Sequence, residues 1–351
     1  MSFSFGIFLI LGFAGAYLAF RSEYKRKEAE GIIHPFLKTM RNTPPLAWAL
    51  LGFFIGAKLV YWWLHRSMYI GAFQDFIFST RGNLMGGLII GLTVWLIARR
   101  NASPPSREMI HPYELMDTIL LYCGLWGITG SALFTKFESP AEWGHFSFHW
   151  LFSYTGINFY GALISGALTW LYINRRYGIR PAIAADIGSP GMMLAYAIGR
   201  MGCHVAGDGD WGIVNENPLP PWLRWLPDWA WAYRYPHNSI REGVYIPDCF
   251  GSNCTVLEQP VYPTPLYESL ICFCLFFLLW SIRRKIKTPG RMFTIFAILN
   301  GAERFFIEFI RVNPRFSIGP LALSQAQILA LGWIVAGLIA LFISTRKKRL
   351  S

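Results

Sequence analysis

Charge is scarce in this chain. Asp, Glu, Lys and Arg supply 15% of its 351 residues, against about a quarter in soluble domains. That argues against an ordinary soluble domain. With 54% hydrophobic residues and a mean hydropathy of +0.34, a multi-span membrane protein is the expected class. Cysteine is also too sparse for a disulfide scaffold, with six in all. Cys123, Cys272 and Cys274 fall in apolar runs, where a thiol acts as a small apolar side chain. Cys249 and Cys254 fall in a long polar loop on the outside, a compartment that permits a bridge. Residues 1–20 lack a basic leader and an obvious small-residue cleavage site, so they predict a retained first helix rather than a removable signal.

What the chain has instead is long apolar stretches. A bilayer core of about 30 Å takes roughly 20 such residues per helix, and nine candidates lie near 3–20, 46–64, 84–99, 115–135, 150–173, 182–204, 266–282, 292–310 and 322–344. The fold class expected is therefore an all-α polytopic membrane protein of about nine transmembrane helices. Basic residues outnumber acidic ones 32 to 20, a net charge of +12. They cluster at 21–27, 99–107, 174–180, 283–291 and 344–349, each after an odd-numbered span. Placing those clusters inside satisfies the positive-inside rule, with the N-terminus outside and the C-terminus in the cytoplasm. The basic excess then reports orientation and implies no nucleic acid.

Residues 205–265 break the pattern with prolines, tryptophans and no apolar run of span length, which predicts an extracytoplasmic loop or head. WLRWLPDWAWAY (222–233) suits the headgroup level, where indoles concentrate. The rest reads as one integral membrane domain, 1–351, with an internal repeat: GGLIIGLTVWLIARR (86–100) aligns with GALISGALTWLYINR (161–175), and GAKL (56–59) with GSAL (130–133). A helical hairpin at 35–105 thus repeats one at 111–178.

At the edge of the sixth span stands GRMGCHVAGDGDWG (199–212), with one arginine and two aspartates among five glycines. GDGDWG spells G-x-G-x-x-G, but no strand precedes it and no helix follows, so the dinucleotide reading fails. Asp208 and Asp210 lack the other ligands of a calcium loop, and no metal or cofactor is expected. Arg200 cannot lose its charge and offers a planar fork of donors suited to phosphate. An arginine at membrane depth implies a partner. The eighth span supplies candidates in GAERFFIEFIR (301–311), where Arg304, Glu308 and Arg311 fall at i, i+4 and i+7 on one predicted helix face. Either a structural ion-pair ladder or an anionic-lipid site would use them.

These residues resemble the signature of the phosphatidylglycerol–prolipoprotein diacylglyceryl transferase family. PTPLYE (263–268) before an apolar helix, the basic PG turn and GAERFFIEFIR follow in that family's order, and FSFGIFLILGFAGAYLA and NFYGALISG (158–166) resemble its earlier motifs. The resemblance covers most of the chain outside the hairpin near 35–105. It implies transfer of a diacylglyceryl group from phosphatidylglycerol to the lipobox cysteine of a prolipoprotein in the bacterial inner membrane, releasing glycerol phosphate without a cofactor. Membrane lipids surround the reaction. It implies Arg200 and Arg304 as the phosphate clamp, Glu308 and Asp208 as their orienting acids, and Cys203, His204, Gly212, Tyr267, Glu268 and Arg311 as substrate-binding positions. The proton acceptor stays open among Tyr160, His204 and Asp208. Tyr160 stands in place of a usual histidine, Asn300 in place of a tyrosine, and Phe5 where a tyrosine is common. A transporter or a non-catalytic lipid-binding relative are the alternatives.

Overall fold

The computed structural model describes residues 3–40, 45–65, 82–101, 106–137, 159–249, 251, 253–318 and 321–350. Among them, each of the nine apolar stretches carries a helix: α1 Phe3–Ala29, α2 Pro45–Leu64, α3 Leu84–Arg100, α4 Met116–Phe137, α5 Phe159–Arg176, α6 Pro181–Ala206, α7 Thr264–Ile282, α8 Arg291–Ile307 and α9 Gln325–Leu350. Residues 150–158, assigned by hydropathy to the fifth span, lie outside the described residues. Five helices are long and apolar enough to cross a membrane: Phe5–Ala29, Pro112–Lys136, Pro181–Ala206, Thr264–Ile282 and Gln325–Ile343. The protein is an all-α, multi-pass membrane protein.

The chain divides into two compact units, residues 35–111 and residues 2–34 with 112–351. In the first, α2 and α3 form a hairpin whose base is closed by an antiparallel ribbon, β1 Phe36–Met40 against β2 Ser106–Ile110, with Phe36 opposite Ile110. Asn83 caps α3, its side chain accepting from the Gly86 N–H at 2.7 Å. The two helices meet along glycines. A Cβ at Gly56 would lie 2.8 Å from the Gly86 carbonyl oxygen, and one at Gly91 2.9 Å from that of Ala49. Small residues allow such contact in lipid, where burial against another apolar helix gains little over acyl chains and close packing supplies the attraction.

In the second unit α6 is the central rod, packed by α1, α5, α7 and α8. Arg180 precedes it with Pro181 at its first position, where a missing N–H costs nothing. Met193 and Ala197 of α6, Cys272, Phe276 and Leu279 of α7 and Met292 of α8 form the buried apolar core. Ser269 on α7 donates to the Ala197 carbonyl at 2.8 Å. Asp186 fixes the start of α8 by accepting from the Gly290 and Phe293 amides at 2.7 and 2.9 Å, satisfying donors that a helix start leaves open. At the same end, Glu23 pairs with Arg26 at 2.6 Å and with Arg283 at 3.0 Å. The hairpin α4–α5 also has a glycine seam: a Cβ at Gly130 would lie 2.8 Å from the Gly161 carbonyl, and one at Gly161 2.5 Å from that of Gly130.

Beyond α6 the chain turns through Gly207, whose left-handed conformation (φ 57°) closes the helix with an N–H to the Cys203 carbonyl, a geometry glycine adopts at little cost. Residues 208–263 form a head without long elements. It contains two short 3-10 turns, Pro221–Leu223 and Asp228–Ala230, and a two-residue ribbon, β3 Val244–Tyr245 with β4 Thr255–Val256. Cys249 and Cys254 form a disulfide beside that ribbon. Trp211, Tyr235, Leu257 and Val261 make a small core of its own. After α8 the chain passes through a 3-10 turn, Glu308–Ile310, and a ribbon, β5 Arg315–Ile318 with β6 Leu321–Ser324, into α9.

At Gly130 and Gly161 the α4–α5 seam has no room for a methyl group. Gly161→Ala is expected to destabilise the protein by about 1–3 kcal/mol through overpacking, read as a lower unfolding midpoint in detergent. Ala at Gly124, whose Cβ would meet nothing within 4 Å, is expected to leave the midpoint in place.

Candidate functional site

Arginines from separate elements converge where α6, α7 and α8 meet the head. Arg200 stands in the next-to-last turn of α6, Glu268 in the first turns of α7, and Arg304 near the end of α8. Glu268 is wholly buried and holds all three guanidinium groups. Arg200 Nε lies 2.7 Å from Oε2, while Arg304 Nη1 and Arg311 Nη1 lie 3.0 and 2.9 Å from Oε1. Arg304 also pairs with Glu308 at 3.1 Å. Arg200 stacks its guanidinium on the Tyr196 ring, 5.1 Å from the centroid.

Arg311 reaches this place by a route different from the one the i, i+4, i+7 spacing predicts. The α-helix ends at Ile307 and the 3-10 turn carries the chain to Arg311, whose backbone is extended. Arg311 thus lies beyond the α-helix, yet it stays with Arg304 on Glu268 and approaches Glu308 at 4.0 Å. Its position is set by the head instead: Gly212 and Arg311 form an antiparallel bridge, and the Ile213 N–H donates to the Ile310 carbonyl at 2.9 Å. A Cβ at Gly212 would lie 2.5 Å from the Ile310 carbonyl oxygen, so only glycine permits this approach.

The acid that bridges Arg200 and Arg311 is Asp210, not Asp208. Its Oδ2 pairs with Arg200 Nη1 and its Oδ1 with Arg311 Nη2, and its carbonyl accepts from Thr264 Oγ1 at 2.8 Å. Asp210 is also the open member of the cluster, with 35% of its side chain exposed. Burial works to raise its carboxyl, but the guanidinium groups of Arg200 and Arg311 outweigh that and hold it below the usual carboxylate range. Asp208 goes the other way, raised chiefly by burial. It accepts from the Asp210 N–H at 3.3 Å and hydrogen-bonds the Cys203 thiol. Cys203, Asp208 and Asp210 offer donor atoms within 4.8 Å of one another, yet both Asp210 oxygens are taken by arginine, so a cation there would have to displace guanidinium.

The remaining expected positions serve other contacts. His204 faces the head: Nδ1 lies 3.0 Å from the Tyr235 hydroxyl, and its ring packs against Tyr233 and Trp229. The Tyr267 hydroxyl donates to the Ala230 carbonyl at 2.8 Å, tying the head to α7. Tyr160 lies at the start of α5 with 40% exposure. Its helix is registered on α6 by Trp170 Nε1 donating to the Ala184 carbonyl at 3.1 Å, and Tyr160 stands about 15 Å further along at 1.5 Å per residue. Tyr196 and Asp210 carry contacts that sequence alone did not assign. The signals were present, since Tyr196 precedes Arg200 by one helical turn and Asp210 lies inside GDGDWG.

Buried charges are held only while each finds its partner, and removing one partner typically costs about 3–5 kcal/mol. Glu268→Gln leaves three arginines around an uncharged amide. A loss of that size is expected, read as a lower unfolding midpoint that anionic detergent partly restores.

The family model for prolipoprotein diacylglyceryl transferase matches residues 84–343. Curated relatives with the name phosphatidylglycerol–prolipoprotein diacylglyceryl transferase include that of Leptospira interrogans (strain Fiocruz L1-130), 29% identical over 235 residues covering 59% of this chain and 64% of the relative. That of Dehalococcoides mccartyi (strain ATCC BAA-2266) is 28% identical over 239 residues, 66% of this chain and 79% of the relative. That of Streptococcus agalactiae serotype Ia is 28% identical over 251 residues, 70% and 85%. The chain thus spans a little under two thirds of the length of the Leptospira relatives it matches. The matched region takes in α3 through most of α9 and with them every member of the arginine cluster, and on that match the chain belongs to the prolipoprotein diacylglyceryl transferase family.

Proposed function

We propose that this protein transfers the diacylglyceryl group of phosphatidylglycerol to the lipobox cysteine thiol of prolipoproteins and releases glycerol phosphate. The observation that carries the reading is the convergence of Arg200, Arg304 and Arg311 on one buried carboxylate, with a one-third-exposed aspartate completing the set. A phosphodiester presents two non-bridging oxygens, as Asp210 presents two carboxylate oxygens to Arg200 and Arg311. The lipid phosphate takes the Asp210 position, and Asp210, borne by a loop and already one-third exposed, turns to water. Arg200 and Arg311 then hold the phosphate, while Arg304, anchored by Glu268 and Glu308, adds positive charge as the leaving group develops its own. Fixed cations in a poorly hydrated site need no reorganisation as charge develops. The attacking group is the substrate's thiolate.

The site opens at the outer face of the bacterial inner membrane, with the N-terminus outside and the C-terminus in the cytoplasm. Support comes from α6, which separates the basic run at 174–180 from the head by 26 helical residues. The hairpin at 35–105 is read as a second copy of that at 111–178. The matching approaches of Gly56 to Gly86 and Gly130 to Gly161 support that reading.

Arg200→Ala and Arg304→Ala are each expected to lower transfer to a lipobox peptide by about 100-fold or more, since one lost transition-state donor typically costs about 3 kcal/mol. The assay is thioether formation with phosphatidylglycerol in detergent, and near-normal rates in both variants would refute the clamp. For orientation, a membrane-impermeant thiol reagent applied to intact cells is expected to reach a cysteine placed at Glu258 and to miss one placed at Tyr177. The opposite pattern reverses the topology.

A further inference from the structure

Glu303 directly precedes Arg304, yet it takes no part in the ion pairs described above. Its side chain is 6% exposed, and among the described residues neither carboxylate oxygen has a hydrogen-bond partner. Charged and titratable groups that interact electrostatically with it include Glu268, Arg304, Arg200 and Arg311, together with Tyr196 and Cys272. Tyr196 precedes Arg200 by one turn of α6, and Cys272 follows Glu268 by one turn of α7. Tyr196 and Cys272 thus lie about 6 Å deeper than Arg200 and Glu268, and Glu303 itself stands one residue, about 1.5 Å, on the deeper side of Arg304. A lipid whose phosphate lies in the arginine layer has its glycerol carbons on that deeper side, since the acyl chains point into the bilayer.

The charges of the cluster balance without Glu303. Arg200, Arg304 and Arg311 are matched by Glu268, Glu308 and Asp210, and a phosphodiester anion in place of Asp210 preserves the match. A further buried anion would have no cation of its own, which is strongly unfavourable. Charge balance therefore favours an uncharged carboxylic acid here, with both oxygens unpartnered among the described residues.

Resting on the transferase reading, we propose that Glu303 is the proton relay of the reaction. The bond from the glycerol carbon to the phosphate oxygen breaks, and its electron pair leaves with glycerol phosphate. The sulfur–carbon bond forms, and the thiol proton must leave sulfur. Glu303 delivers its proton to the departing phosphate oxygen and takes the thiol proton on its other oxygen, so the carboxyl returns to its starting state. Thiol and phosphodiester monoanion become thioether and phosphomonoester monoanion, with no change in charge.

The test compares wild type, Glu303→Gln and Glu303→Asp in detergent with phosphatidylglycerol and a lipobox peptide. Gln keeps size and neutrality but cannot relay, so kcat is expected to fall by about 10²–10⁴ while the KM for phosphatidylglycerol stays within about twofold; Asp is expected to retain more activity than Gln. A Gln variant within about threefold of wild type overturns the relay. Absence of transfer by wild type refutes the transferase reading instead. A second measurement needs no variant. Dicyclohexylcarbodiimide, which modifies protonated carboxyls in apolar surroundings, is expected to label Glu303 of the wild-type protein in step with loss of transfer, and phosphatidylglycerol is expected to protect it. No adduct at Glu303, or an adduct that leaves transfer intact, overturns the proposal.

Discussion

Three guanidinium groups cannot be held at the end of a helix bundle without an anion among them, and Glu268 is that anion. It lies wholly buried in the first turns of α7, and its two oxygens take contacts from α6, α8 and the segment after α8. The geometry of the whole head end follows from this. Arg200 must sit at the last turns of α6, so the chain needs an immediate reversal, which Gly207 supplies. Arg311 must come back toward α7, so α8 stops at Ile307 and the Gly212–Arg311 bridge seats the returning strand. Burying ions in this way does little for stability, because desolvation offsets most of the Coulomb attraction. Cohesion comes from the small-residue seams and the apolar core around Met193, Cys272 and Leu279.

The second ionic cluster, at the other end of the same helices, shows what a purely structural arrangement looks like. There Glu23 is enclosed by Arg26 and Arg283, and Asp186 spends both oxygens on the amides that begin α8. Those anions are rigid parts of helices and nearly inaccessible. At the head end the corresponding place is taken by Asp210, on a loop and one-third exposed. An exchangeable anion between permanently charged donors is what a binding site for phosphate requires. The opposite displacements of the two aspartates follow from the same geometry. Asp210 has cations on both oxygens, whereas Asp208 is raised by burial, with the charge of Asp210 adding to it.

Helix existence was legible because it depends on hydropathy summed over many residues, and each of the nine stretches holds a helix among the described residues. Arg200, Arg304, Arg311, Glu268 and Glu308 were legible as a set because their motifs stand together in order. Details settled by one or two torsions were hidden. The tightening at Glu308–Ile310 ends the helix before Arg311, and Gly209 (φ 95°) lies in the loop that presents Asp210 to Arg200 and Arg311. His204 and Tyr267 carry polar tips that could serve either the cluster or the head, and only tertiary packing decides. Both were assigned to substrate from the resemblance, and both are engaged by Tyr235 and Ala230 of the head.

The 35–111 unit is closed on itself and contributes no member to the ionic cluster. The ends of the 35–111 unit are paired to one another, Phe36 opposite Ile110, so entry and exit lie side by side and the loop between them is free to vary. Its two helices meet along glycine contacts. The ionic cluster lies wholly outside it, on α6, α7, α8 and the segments that follow α6 and α8. Lipid imposes the same rule on each hairpin, because two apolar helices adhere only where their backbones can approach. Glycine at the points of closest approach is therefore what each of the two hairpins requires.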